Sequence, residues 1–114
     1  MAATLPKEER LCGRTAISAL IGKGKWEGSA HLRCCVSGNG LEYNRLMVSV
    51  PKKHFKRAVK RNLLKRRMRE AYRLQKDLLA GGHDVLFSYS AAEVADFEVI
   101  RSEVAALLVK IGSR

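Results

Sequence analysis

"FKRAVKRNLLKRRMREAYR" runs from Phe55 to Arg73 and holds nine Lys or Arg residues with one acid, Glu70. Charge this dense repels itself, so a polyanion outside the chain is expected to neutralise it. In a helix, at about 100° per residue, Ala58, Asn62, Arg66, Arg69 and Arg73 share one face, with Arg61 and Lys65 flanking it. Leu64, Met68, Ala71 and Gln75 share the opposite face, with Tyr72 and Leu79 at its edge. One face can therefore pack on a sheet while the other offers a row of guanidinium groups. The helical pattern begins at about Phe55 and continues to about Leu79, and Gly81-Gly82 stops it.

The ordinary fate of a charge run is a solvated face. Two features argue against it here. A solvated helix gains from alternating signs four residues apart, and this one barely alternates. Arg also outnumbers Lys on the outward row, which suits bidentate contact to phosphate. Asn62 in mid-row is a poor helix former, but its amide can both donate and accept. A coiled-coil basic region would need a heptad seam, which Gly81-Gly82 cuts short. A membrane-surface helix would need a bulkier, more aromatic apolar face.

The rest of the chain sharpens the contrast. It has 114 residues, a net charge of +11 and 46% hydrophobic residues. That is enough for one compact domain over 1–114, with 1–9 as a polar lead-in. From Lys52 to Arg73 there are eleven Lys or Arg and one acid, so this segment carries +10 of the +11. A charge so concentrated marks a docking surface, for nucleic acid first and an anionic membrane second. The N-terminus lacks an apolar signal core and no run of about eighteen apolar residues occurs, so a cytoplasmic protein is expected. Cys12, Cys34 and Cys35 show no metal-binding spacing and read as reduced thiols. On a strand, Cys34 and Cys35 would point to opposite faces.

Around the basic helix the periodicities predict a short helix within Leu11–Ile21 and a "GKGKWEG" loop at Gly22–Gly28. A strand follows at His31–Ser37, and Asn39-Gly40 signals a hairpin turn. Leu41–Val50 reads as a second strand with Leu46, Val48 and Val50 on one face. Asp84–Ser90 reads as a third. Phe97, Ile100, Val104, Leu107, Leu108 and Ile111 mark a C-terminal amphipathic helix. The expected fold class is α+β: a single-domain α/β sandwich of order α-β-β(-β)-α-β-α, its small central sheet packed by helices.

The stretch "RAVKRNLLKRRMREAYR" resembles the signature of the bacterial ribonuclease P protein component. The matching pairs are Ala58-Val59, Arg61-Asn62, Lys65-Arg66 and Arg69-Glu70. The preceding "SVPKKHFK" is similar to the strand end and Lys pair that lead into the same helix. "PKEERL", Pro6 to Leu11, resembles the opening of family members.

The resemblance implies the protein subunit of a ribonucleoprotein endonuclease that removes the 5′ leader of precursor tRNA. The RNA subunit is then the catalyst and uses Mg2+, while this chain binds no cofactor or metal and carries no catalytic residue. The sequence agrees: it has no carboxylate pair, HxxxH or nucleophile–base arrangement for phosphodiester cleavage. His31, His54 and His83 are scattered and read as surface or structural histidines. The implied partners are the catalytic RNA and precursor tRNA, with no membrane and no DNA.

Two RNA-facing regions are implied. The motif helix would contribute Lys52, Lys53, Arg57, Lys60, Arg61, Asn62, Lys65, Arg66, Arg69 and Arg73. A cleft between the first helix and the sheet would take the leader, with Ile17, Ile21, Lys23, Lys25 and Cys35 as candidates. The family often places aromatics in that cleft for base stacking. Here Ile17, Ile21 and Cys35 stand at those positions, which leaves apolar contact in place of stacking, and Trp26 or Tyr43 could compensate. Core packing is an equal alternative for Ile17 and Ile21. Lys23 and Lys25 flank a glycine, but GxxxxGK[ST] is absent, so backbone contact to RNA is expected rather than a nucleotide cradle. Composition alone also fits a structural rRNA-binding protein of ribosomal type. The Arg-Asn, Lys-Arg, Arg-Glu spacing favours the ribonuclease P subunit over it, and a self-sufficient protein nuclease is a distant third.

Overall fold

A computed structural model describes residues 9–11 and 13–112. Cys12 and most of the Pro6–Leu11 opening lie outside the described residues, as does nearly all of the 1–9 lead-in. The elements are α1 (Arg14–Lys23), β1 (Lys25–Gly28), β2 (Leu32–Gly38), β3 (Arg45–Ser49), α2 (Ala58–Gln75), β4 (His83–Tyr89) and α3 (Phe97–Gly112). A single 3-10 turn, Lys76–Leu78, follows α2. The four strands form one sheet in the order β1-β2-β4-β3. β2 runs antiparallel to both β1 and β4, and β3 runs parallel to β4. The mixed α+β class and the element order match the sequence reading, and the optional extra strand is present.

Each face of the sheet packs against helices, so the strands bury both sides. On one face α2 and α3 enclose the main core, which includes Leu32, Cys34, Val48, Leu64, Met68, Tyr72, Phe87 and Val104. On the other face α1 covers a smaller cluster of Leu11, Leu20, Cys35 and Leu86, with Ile17 and Met47 packed against it. Cys34 and Cys35 thus enter opposite cores, as strand alternation requires. Leu46, Val48 and Val50 are buried together, and so are Ile100, Val104, Leu107, Leu108 and Ile111.

Three local expectations are corrected. The "GKGKWEG" segment is not all loop: Lys25–Gly28 pairs with β2 as an edge strand. Short, charged and glycine-flanked edges are common because they discourage pairing with other chains. The Asn39-Gly40 turn exists, with Gly40 at φ 71 and the Leu41 N–H donating to Asn39 Oδ1 at 2.8 Å. It does not make a hairpin, because β4 lies between β2 and β3. Finally, α2 starts at Ala58 rather than near Phe55. Phe55 is instead a core anchor, packed edge-on to Tyr89 at 5.7 Å between ring centres. That contact holds the preceding turn out of helix register.

Candidate nucleic-acid interface

The buried side of α2 is the one the spacing requires. Leu64, Met68, Ala71 and Tyr72 are buried. Asn62, Arg66 and Arg69 are exposed on the far side; Lys52, Lys53, Arg57 and Lys60 are exposed around the helix start, where Lys60 lies on the flank of Leu64 and Arg67. Val59 is 79% exposed, so the start of the helix offers apolar surface among the charges. The first turn carries no acid. The positive end of the helix dipole therefore adds to the side-chain charge there.

The cations of α2 divide into two sets. Arg61 Nη1 donates to the carbonyls of Phe55 and Lys56, at 2.7 Å each. These bonds fasten the turn before the helix to its first coil. Arg67 Nη1 donates to the Ala95 carbonyl at 2.6 Å and ties α2 to the entry of α3. Arg73 is half-buried and pairs with Glu70. Lys60, Lys65, Arg66 and Arg69 form no ion pair or side-chain hydrogen bond among the described residues. The spacing had placed Arg61 and Arg73 with the outward set. Their internal partners were missed because those partners depend on carbonyls outside the helix or on a neighbouring acid. Near the helix start, Lys53, Lys56, Arg57 and Lys60 line an open cleft of about 440 Å³ against Glu93 and Val94. Lys56 was not singled out from the sequence.

The second candidate region lies on the α1 face of the sheet. The strand register aligns Trp26, Cys35, Leu86 and Met47 in one row, and Gly28, Arg33, Ser88 and Ser49 in the next. Residues Ala16, Ala19 and Lys23 of α1 flank Ser37, Asp84 and Arg45 at one end of the sheet. Helical geometry turns Ile17 and Ile21 to the opposite flank, toward the Arg33–Ser88–Ser49 row. Ile21 is 48% exposed and Ile17 is half-buried. Trp26 is 39% exposed, and the Arg33 guanidinium lies over its ring, 4.8 Å from the centre. This half of the sheet adjoins the end of β3 and hence the turn leading into α2.

The five cleft candidates are not brought together. Ile17 and Ile21 border the open half. Cys35 is fully buried under α1, its Sγ donating to the Leu20 carbonyl at 3.4 Å. It is floor beneath the helix, not ligand-facing surface. Lys23 and Lys25 sit at the other end, near Ser37, Gly38 and His83. Burial pushes the Cys34 thiol up to about 12, helped by the adjacent Cys35, and burial raises Cys35 too. Neither is therefore a thiolate nucleophile at neutral pH.

These features define a class: a small α+β protein that presents a cationic helix and an open, Arg- and Trp-bearing sheet surface to a polyanion. The chain belongs to the ribonuclease P protein family, whose model, Ribonuclease P, matches residues 5–112. It is 38% identical over 120 residues to the ribonuclease P protein component of Porphyromonas gingivalis, covering 94% of this chain and 85% of that one. It is also 38% identical over 116 residues to that of Ralstonia pickettii, covering 96% and 82%. Its fold is similar to that of the RNase P protein from Thermotoga maritima, with a TM-score of 0.81 and 29% identity over 90% of this chain and 96% of that one. No helix among the described residues is long and apolar enough to cross a membrane.

Proposed function

We propose that this chain, acting as one RNA-binding domain in the cytoplasm, binds the catalytic RNA of ribonuclease P and the 5′ leader of precursor tRNA. The carrying observation is the free cationic face of α2. Arg66 and Arg69 keep their charges unpaired on it, while the other face of the same helix is fixed in the core. Such a face neutralises phosphates without disturbing the fold. The open half of the sheet, with Ile17, Ile21, Arg33 and Trp26, offers an unpaired strand apolar contact, stacking and charge. Magnesium ions serve the RNA subunit. This chain's part in that reading is binding and positioning, which the cationic face of α2 supports.

The test is cleavage of precursor tRNA by the cognate RNA at low magnesium concentration, with and without the protein. The protein is expected to restore cleavage, and nuclease-treated protein alone is expected to cleave nothing. No stimulation, or robust cleavage by the RNA-free protein, overturns the reading.

A further inference from the structure

Lys23 and Lys25, the cleft candidates that lie apart from Ile17 and Ile21, share their end of the sheet with His83. They meet in a recess of about 350 Å³ walled by Val36, Ser37 and Ile111. β4 runs from His83 to Tyr89, so this recess lies roughly 20 Å along the sheet from the end where α2 begins. It is a separate place on the molecule.

The recess is held rigidly. Gly24 stands between the two lysines, and a Cβ there would collide with Cys35 Sγ and the Leu20 carbonyl oxygen. The Gly24 N–H also donates to that carbonyl at 2.6 Å. Lys23 thus ends α1 and Lys25 begins β1 on either side of a glycine that is hydrogen-bonded back to α1 and packed against β2. Neither lysine has an ion-pair partner among the described residues. The acid nearest in sequence, Glu27, is engaged by Lys110 at 3.0 Å. Asp84 is taken by Arg45, at 2.7 Å to each carboxylate oxygen, and by Asn39 at 3.0 Å. The carbonyl end of α3 brings about half a negative charge to this end of the fold. Two unpaired lysines outweigh it.

His83 is oriented as firmly. Asn44 is buried, and its Nδ2 donates to the Leu79 carbonyl at 3.3 Å, which turns its Oδ1 toward His83. The His83 backbone N–H donates to that Oδ1 at 2.8 Å. The ring Nδ1 lies 3.0 Å from the Ala80 carbonyl and 3.3 Å from the same Oδ1. Two oxygen acceptors fix Nδ1 as the donor, so Nε2 of the neutral ring is an acceptor. The same recess is lined by both lysines, and a set of one acceptor and two ammonium groups matches a hydroxyl next to a phosphate.

We propose that Lys23, Lys25 and His83 form a second RNA site, which holds one phosphodiester between the lysines and accepts the adjoining ribose 2′-hydroxyl at His83 Nε2. Val36 and Ile111 give the sugar an apolar wall. The 2′-hydroxyl contact makes the site prefer RNA to DNA. The choice of RNA as partner rests on the function proposed above, but the site is distinct from α2 and fails or stands separately from it.

The experiment is an NMR titration of the isotope-labelled protein with hexauridylate, with its deoxy counterpart and with inorganic phosphate. Hexauridylate is expected to move the resonances of Lys23, Lys25 and His83. The deoxy strand should bind there roughly three- to tenfold more weakly, the loss of one neutral hydrogen bond. Replacing both lysines (Lys23→Gln with Lys25→Gln) should abolish these shifts and lower the log–log salt slope of hexauridylate binding by about 0.7, the share of one phosphate. His83→Gln should reduce the preference for RNA while leaving the lysine shifts in place. Arg66 and Arg69 report on α2 in the same spectra. The proposal is overturned if hexauridylate leaves the three residues unmoved, whether or not Arg66 and Arg69 shift. It is equally overturned if RNA and DNA bind there alike, or if inorganic phosphate moves all three residues at the same concentration.

Discussion

Two neighbouring arginines on α2 should respond to the same substitution in opposite ways. Arg66 is exposed and has no internal partner among the described residues, whereas Arg67 donates to the Ala95 carbonyl at 2.6 Å. Arg67→Ala removes a hydrogen bond from a charged donor and leaves the carbonyl half-enclosed, a loss of about 1.5–3 kcal/mol of stability. At roughly 4 °C per kcal/mol for a chain of this size, the melting temperature should fall by about 6–12 °C. RNA affinity should then change only through the unfolded fraction. Arg66→Ala should leave the melting temperature within about 2 °C, because exposed substitutions change stability by about half a kcal/mol or less. It should weaken assembly with the cognate RNA by about 1–3 kcal/mol and lower the salt slope by about 0.9 if the phosphate is in a duplex.

Leu64→Ala completes the set. Leu64 is fully buried in the main core, so truncation should cost about 2–5 kcal/mol through transfer and cavity terms. Thermal unfolding by circular dichroism and RNA affinity by filter binding, on the same three proteins, separate the outcomes. An Arg66 variant that melts early beside a robust Arg67 variant would refute the assignment of inner and outer faces. Unchanged RNA affinity in the Arg66 variant would remove that residue from the interface.

Two further outcomes follow from buried contacts. Gly24→Ala should cost about 1–3 kcal/mol, measured by urea unfolding, because the new Cβ would collide with Cys35 Sγ and the Leu20 carbonyl and crowd the Val36 carbonyl; a neutral result would mean that the α1–β1 junction is mobile. The Glu103 carboxyl is raised by burial but lowered more by Ser29, by the His31 N–H at 2.8 Å and by the His31 ring at 2.6 Å, so it sits below its ordinary 4.5. A depressed carboxylate contributes stability that is complete above the unfolded value and lost as pH falls through the folded one. Glu103→Gln should therefore destabilise the protein at pH 7 by about 1–3 kcal/mol, with the gap to wild type closing below about pH 4.5.

The sequence made some of this legible and hid the rest for identifiable reasons. The inner and outer faces of α2 follow from a period of about 3.6, because a helix wheel needs only local spacing. The same holds for α3, and for the opposite destinations of Cys34 and Cys35. What lay hidden depends on partners far along the chain. The Asn39-Gly40 turn is real, yet nothing near it records that β4, some forty residues later, inserts between the strands it joins. β1 reads as loop because Lys25–Gly28 has the charges and glycine of an edge, and an edge strand is recognised only once its neighbour is known.

The same distinction sorts the arginines. Periodicity shows where Arg61 and Arg67 point, but the carbonyls of Phe55, Lys56 and Ala95 decide that both are fastened inward. Those carbonyls are free because the chain is not helical at these positions. The first two belong to the turn that Phe55 forces by burying itself against Tyr89. One apolar residue before the helix thus shifts its start and supplies acceptors for Arg61. Among the described residues, that leaves Lys60, Lys65, Arg66 and Arg69 as the α2 charges with no internal partner, a smaller and more specific set than the charge run alone implies.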